Sequence, residues 1–249
     1  MDRIELSKQK LSKLRSDTPS SSGSLDPEFM DILQRFTFGE VFYQGNLSDK
    51  QRELITIVVL TTNQTLPQLR AHIGFALNVG LTPIEIKEAI YQCAPYLGFP
   101  KTLNALTQAN EVFKEKKIAL PVESQGQVDE GTRFDEGLKL QVAIFGDVIH
   151  QMNKNAPEDQ KHINEYLSAF CFGDIYTRSG IDLKTRELLT FCMISALGGC
   201  ESQLRAHIRG NLSVGNNKEV MISTITHCIP YIGFPRSLNA LRCLNETTQ

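Results

Sequence analysis

Apolar and polar positions alternate along the chain with the spacing of helices. Leu54, Ile57, Val58 and Thr61 fall on one helix face, and Ser48-Asp49-Lys50-Gln51 ahead of them has the form of a capping box. Leu69, Ile73 and Leu77 then recur at i, i+4 and i+8, and Gly80 supplies a C-cap. Thr82-Pro83-Ile84-Glu85 offers an N-cap, a proline at the first helical position and a glutamate three residues beyond the cap. The helix it opens carries Ile86, Ala89, Ile90 and Cys93. The β-branched run Ile55–Val59 could be read as a strand on propensity, but its neighbours are helical. A later copy of the run, Leu188 to Met193, is made of weaker strand formers. The pattern predicts an all-α chain.

That later copy belongs to an internal duplication. PYLGFPKTLNAL from Pro95 returns as PYIGFPRSLNAL from Pro230, with nine of twelve positions identical. QLRAH occurs at Gln68–His72 and at Gln203–His207, the same 135 residues apart. Arg52-Glu53-Leu54 matches Arg186-Glu187-Leu188, and Phe38-Gly39-Glu40 matches Phe172-Gly173-Asp174, both 134 apart. A period this long marks a duplicated domain-sized unit rather than a solenoid. The Ser-, Pro- and Gly-rich stretch 16–27 and the polar stretch 121–133 read as joins. The expected organisation is a flexible basic tail (1–24), a helical repeat (25–120), a linker (121–133) and a second repeat (134–249), each repeat a bundle of five or six short helices.

Composition narrows the function. With 249 residues, 41% hydrophobic, 22% charged and a formal charge of -2, the chain is globular and lacks the basic field that nucleic acid or an anionic membrane would need. The most apolar uncharged stretch, 188–200, is too short to span a bilayer, which takes about 20 residues. The N-terminus lacks the apolar core of a secretory signal, so cytoplasmic residence is expected. Six scattered cysteines without a C-x-x-C pair read as buried hydrophobes or reactive thiols. Small molecules are the expected partners.

Polar side chains present in both repeats are the candidates for chemistry: Arg52/Arg186, Glu53/Glu187, Gln68/Gln203, Arg70/Arg205, His72/His207, Tyr96/Tyr231 and Asn104/Asn239. Thr65, Gln68 and His72 share a helix face, as do Cys200, Gln203 and His207, each placing an imidazole at a core margin where it can move protons. If the two helices form a hairpin, Glu53 is displaced from the level of His72 by about five residues, or roughly 7.5 Å. A water-bridged relay is then as compatible with the spacing as a direct bond. Arg52 and Arg186 read as solvated or ion-paired surface residues, and Cys93 and Cys228 as packing residues. The Gly-Phe-Pro elements read as helix stops, and Tyr96 and Tyr231 as pocket or core residues. No metal-ligand cluster, P-loop, dinucleotide fingerprint or nucleophile elbow is present, and no cofactor is expected.

Arg-Glu-Leu opening one helix, QLRAH in the next and Y-[LI]-G-F-P-x-x-L-N-A-L at the end resemble the carboxymuconolactone decarboxylase family, which includes the alkyl hydroperoxidase D (AhpD) proteins. The resemblance implies an AhpD-like fold assembled into rings, here a homo-oligomer, with a trimer of two-repeat chains expected. Two chemistries follow from it. A cofactor-free decarboxylase of a small carboxylated lactone would use His72 and His207 as acids and Glu53 and Glu187 as their partners. Gln68, Gln203, Tyr96 and Tyr231 would then contact substrate, and Arg70 or Arg205 would hold its carboxylate. The peroxidase branch carries C-x-x-C-x-x-x-H, and of its cysteine positions (Thr65 and Gln68, Cys200 and Gln203) only Cys200 keeps a thiol. A non-catalytic oligomeric binding protein is the third reading.

Overall fold

The computed structural model describes residues 2–15 and 25–249, and they contain helices and no strand. The first repeat comprises α1 (Arg3–Arg15), α2 (Pro27–Gly39), a 3-10 turn (Val41–Tyr43), α3 (Asp49–Asn63), α4 (Leu66–Asn78), α5 (Pro83–Tyr91), α6 (Ala94–Leu97) and α7 (Phe99–Glu115). The second comprises α8 (Arg133–Phe145), α9 (Val148–Lys154), a 3-10 turn (Glu158–Gln160), and α10 (Lys161–Tyr166) running into a π-helical stretch (Leu167–Tyr176). It continues with α11 (Leu183–Leu197), α12 (Glu201–Ser213) and α13 (Lys218–Thr247). Local chemistry sets the ends as the sequence predicts. Ser48 with Gln51 caps α3, and Thr82 with Glu85 caps α5 behind Pro83. Gly98 (φ +80) separates α6 from α7, and Gly233 (φ +75) bends α13 at the matching place, conformations that only glycine adopts without strain.

The segment expected as a flexible tail is different. Residues 3–15 form α1, which buries Leu11 and Leu14 against the bundle, and residues 1 and 16–24 of that tail and join lie outside the described residues. Its second-repeat counterpart is α8, because the same contacts recur. Arg3 pairs with Glu40 as Arg133 pairs with Asp174. Asn78 donates to the Leu14 carbonyl as Ser213 donates to that of Ile144. Gly39 lies against the Arg3 carbonyl and Gly173 against that of Arg133, each too close for a Cβ. The duplicated unit therefore begins at α1. Its few apolar positions, diluted by lysines, concealed the helix in the sequence.

The repeats are not separate bundles. One core runs through both, with α3 packed on α11. Every residue from Arg52 to Thr62 and from Arg186 to Ala196 is buried, so these helices have no solvent face. The single face read for α3 is a correction on that account. The linker at 122–129 is irregular, and Gln125 is tied back to Ser179, whose amide donates to its carbonyl at 3.0 Å. No helix among the described residues is long and apolar enough to cross a membrane.

Candidate active site

Each repeat supplies a Glu–His pair, and the two are joined directly rather than through water. His207 Nδ1 lies 2.9 Å from Glu187 Oε2, and His72 Nδ1 lies 2.8 Å from Glu53 Oε2. The hairpin estimate misplaced them: α3 packs on α4, and α11 on α12, so that glutamate and histidine are in direct contact. Both glutamates are buried and both histidines nearly so.

Each histidine meets one aromatic of its own repeat, Phe145 at His207 (5.3 Å) and Phe75 at His72 (5.2 Å), and one from the other repeat. The Tyr96 ring, carried by α6, meets His207 edge-on at 5.7 Å, and the Tyr231 ring, carried by α13, meets His72 at the same distance. Each site is thus assembled by both halves of the duplication.

The His207 site opens on a cavity of about 540 Å³. His207, Tyr96, Gln141, Cys200 and Gln203 supply its polar groups. Phe145, Ile149, Met152, Leu167, Phe172 and Leu197 make most of its apolar wall. With Nδ1 engaged by Glu187, Nε2 is the imidazole nitrogen left to face a ligand. Gln141, which the sequence did not single out, is buried and accepts from the Ser168 hydroxyl at 2.7 Å through Oε1, so its amide N–H is available.

Behind the histidine runs a chain of donors that ends on Glu187. Arg186 donates to Gln92 Oε1 (2.9 Å), Gln92 to Thr190 Oγ1 (3.2 Å), Thr190 to the Tyr176 hydroxyl (2.9 Å), and Tyr176 to Glu187 Oε1 (2.7 Å). The Tyr96 hydroxyl also meets that of Tyr176 at 3.0 Å. Burial, with the Glu187 charge nearby, pushes both tyrosines well above the ordinary phenol range, so they serve as O–H donors. Such chains polarise cooperatively, here from a guanidinium toward a carboxylate.

The His72 site differs at the equivalent places. Phe42 stands where Tyr176 stands, Leu11 where Gln141 stands, and His227 where Gln92 stands. Glu53 Oε1 consequently has no hydrogen-bond donor. His227 donates from Nε2 to the Arg52 carbonyl at 3.0 Å and faces the Arg52 guanidinium with Nδ1 at 3.4 Å. Burial, and then the Arg52 charge, hold its pKa well below the usual imidazole value.

Several expected roles change. Arg52 and Arg186 are buried, not surface residues. Arg186 pairs with buried Glu88 of the first repeat at 2.8 Å, while Arg52 is caged by the carbonyls of Leu47, Val41 and Gln44. Their partners are distant or are backbone, so spacing could not reveal them. Arg70 and Arg205, expected to hold a carboxylate, point outward: Arg70 pairs with Glu111 and Glu115, and Arg205 with Glu246. Helical geometry puts them two residues from the histidine and so on another face. Gln68 is exposed. Asn104 and Asn239 bond Gln64 and Glu201 at helix ends. Cys93 and Cys228 are buried, as read from the sequence. Thr56 and Thr190 recur in both repeats, a signal that would have pointed to the network behind the histidine.

The model of the carboxymuconolactone decarboxylase family matches residues 27–111 and 162–246. A 4-carboxymuconolactone decarboxylase of Acinetobacter baylyi is 38% identical over 92 residues, covering 37% of this chain and 69% of the relative. A nitrosuccinic acid decarboxylase of Metarhizium robertsii is 30% identical over 85 residues, covering 34% of this chain and 59% of the relative. An uncharacterised 15.0 kDa protein of Paracoccus denitrificans is 38% identical over 88 residues, covering 34% of this chain and 65% of the relative.

Proposed function

Because the chain belongs to the carboxymuconolactone decarboxylase family over both of its repeats, we propose that it is a carboxy-lyase whose proton transfer is performed by Glu187 and His207. The observation that carries this reading is His207 on the wall of a largely apolar cavity, backed by buried Glu187 at 2.9 Å. A substrate carboxylate pairs with the His207 imidazolium, whose charge Glu187 offsets. The C–C bond to the carboxyl carbon breaks, its electron pair moves into an adjacent carbonyl to give an enolate, and carbon dioxide leaves. The Gln141 and Gln203 amides are the donors available to the enolate oxygen. His207 Nε2–H then protonates carbon and recovers a proton from water. The charge is localised on the carboxylate at the start and delocalised at the transition state, which a water-poor apolar cavity favours.

Incubation with a small β-keto acid should release carbon dioxide, with release abolished by His207→Ala. Release that persists when both His207→Ala and His72→Ala are present would remove the histidines from the mechanism. A second reading, thiol peroxidase chemistry, is favoured by Cys200 sharing the cavity with His207. Gln203 stands where a resolving thiol would be, so that thiol has to come from a partner molecule. Hydroperoxide consumption lost in Cys200→Ser is its test, and equal turnover by that variant rules it out.

A further inference from the structure

The two relatives named as decarboxylases carry the names of 4-carboxymuconolactone and nitrosuccinic acid, both dicarboxylic acids. A site for a second carboxylate needs a second cation or a cluster of donors, because a carboxylate left unpaired in an apolar cavity loses its hydration without compensation. The His207 cavity has no such provision. Among the described residues that line it there is no lysine, arginine, aspartate or glutamate, and His207 is the one group able to carry positive charge. Arg205, the nearest arginine in sequence, is committed to Glu246 outside. The remaining polar groups gather near the histidine. The Gln141 amide is inside, and the Tyr96 hydroxyl is already engaged by Tyr176. Cys200 and Gln203 sit at the start of the histidine's own helix. Away from them the wall is Phe145, Ile149, Met152, Leu167 and Phe172, with α9 contributing two of these side chains.

We infer that the His207 cavity takes a monocarboxylic acid with an apolar body, its carboxylate at His207 and its electron-accepting carbonyl beside Gln141. This rests on the decarboxylase reading for the reaction but not for the binding. For a β-keto acid the balance is simple. The bond between the carboxyl carbon and the α carbon breaks, the pair enters the ketone as an enolate, carbon dioxide departs, and the α carbon takes the His207 proton. Products are a methyl ketone and carbon dioxide, with one proton drawn from water. The volume of about 540 Å³ lies within the usual range for a small-molecule site and leaves room for an alkyl or aryl-alkyl substituent. The first repeat puts Leu11 in place of Gln141, so the amide donor is particular to the His207 site.

Isothermal titration of the full chain with octanoate and with octanedioate tests the class without any turnover, since the two differ only in the second carboxylate. Octanoate should bind at least tenfold more tightly, and lengthening the monoacid from butanoate should tighten binding by up to about fourfold per methylene until the cavity is filled. Leu197→Arg, and independently Met152→Lys, should raise octanedioate affinity at least tenfold. Gln141→Leu should leave octanoate affinity within threefold while lowering release of carbon dioxide from 3-oxooctanoate at least tenfold. Equal or tighter binding of octanedioate to the unaltered chain, or no gain from either added cation, overturns the proposal. If octanoate binds as expected and 3-oxooctanoate is not consumed, the decarboxylase reading fails while the ligand class stands. Preferential consumption of a dicarboxylic β-keto acid does the reverse.

Discussion

Replacing Tyr176 with phenylalanine removes one oxygen and nothing else. The ring keeps its packing on Phe172, 4.8 Å between centroids, so no cavity beyond the hydroxyl is created. What is lost is the 2.7 Å bond to Glu187 Oε1 and the acceptor shared by Thr190 and Tyr96. A hydrogen bond to a charged group contributes about 1.5–3 kcal/mol, and Thr190 and Tyr96 keep other neighbours, so about 2 kcal/mol is the expected loss. For a chain of this size that lowers Tm by about 4–8 °C. Glu187 also loses the donor that holds it in line with His207, and a tenfold fall in kcat/KM corresponds to about 1.4 kcal/mol of transition-state stabilisation. Calorimetry and carbon dioxide release on Tyr176→Phe measure both. The reciprocal variant, Phe42→Tyr, offers a donor to Glu53 Oε1, which has none, and should leave stability unchanged or higher. A Tyr176→Phe protein with Tm within about 1 °C of the parent and unaltered turnover would refute the view that the donor chain positions Glu187.

Other expectations follow from the same geometry. Burial and the Arg52 charge hold the His227 pKa well below the ordinary imidazole value of about 6.5, so the folded state binds fewer protons than the unfolded chain once pH falls under that value. Stability should therefore decline on acidification from that point, at up to about 1.4 kcal/mol per pH unit from this group, and His227→Gln, which copies Gln92, should remove that share of the decline in melts at pH 5 and 7. Cys200 is half-buried and the other five cysteines are buried, with burial pushing Cys171 up to about 12. One thiol per native chain should accordingly react with iodoacetamide, and Cys200→Ser should abolish it. Gly39→Ala would place a Cβ 2.0 Å from the Arg3 carbonyl. If α1 is docked, it should cost about 1–3 kcal/mol by urea midpoint, and a neutral result would mean that α1 is not held there.

What was legible in the chain was local or duplicated. Helix periodicity, the Ser48 and Thr82 caps and the Gly-Phe-Pro breaks are short-range effects, and the structure keeps them. The doubled Glu, His and Tyr named residues that meet around each histidine because the same unit is written twice in the chain. Tertiary structure decided the rest. The packing of α11 on α12 closes the Glu187–His207 distance to 2.9 Å, which spacing along a helix cannot foretell. Tyr96 reaches His207 and Glu88 reaches Arg186 across the two repeats, contacts between residues far apart in the chain. Arg70 and Arg205, two positions from the histidine in sequence, point outward because two helix positions are rotated by about 200°. Sequence by itself therefore determined the helices and the residues doubled around each histidine. Only the packing placed Gln141 on the His207 cavity wall and Tyr176 and Gln92 behind Glu187, where the first repeat has Leu11, Phe42 and His227.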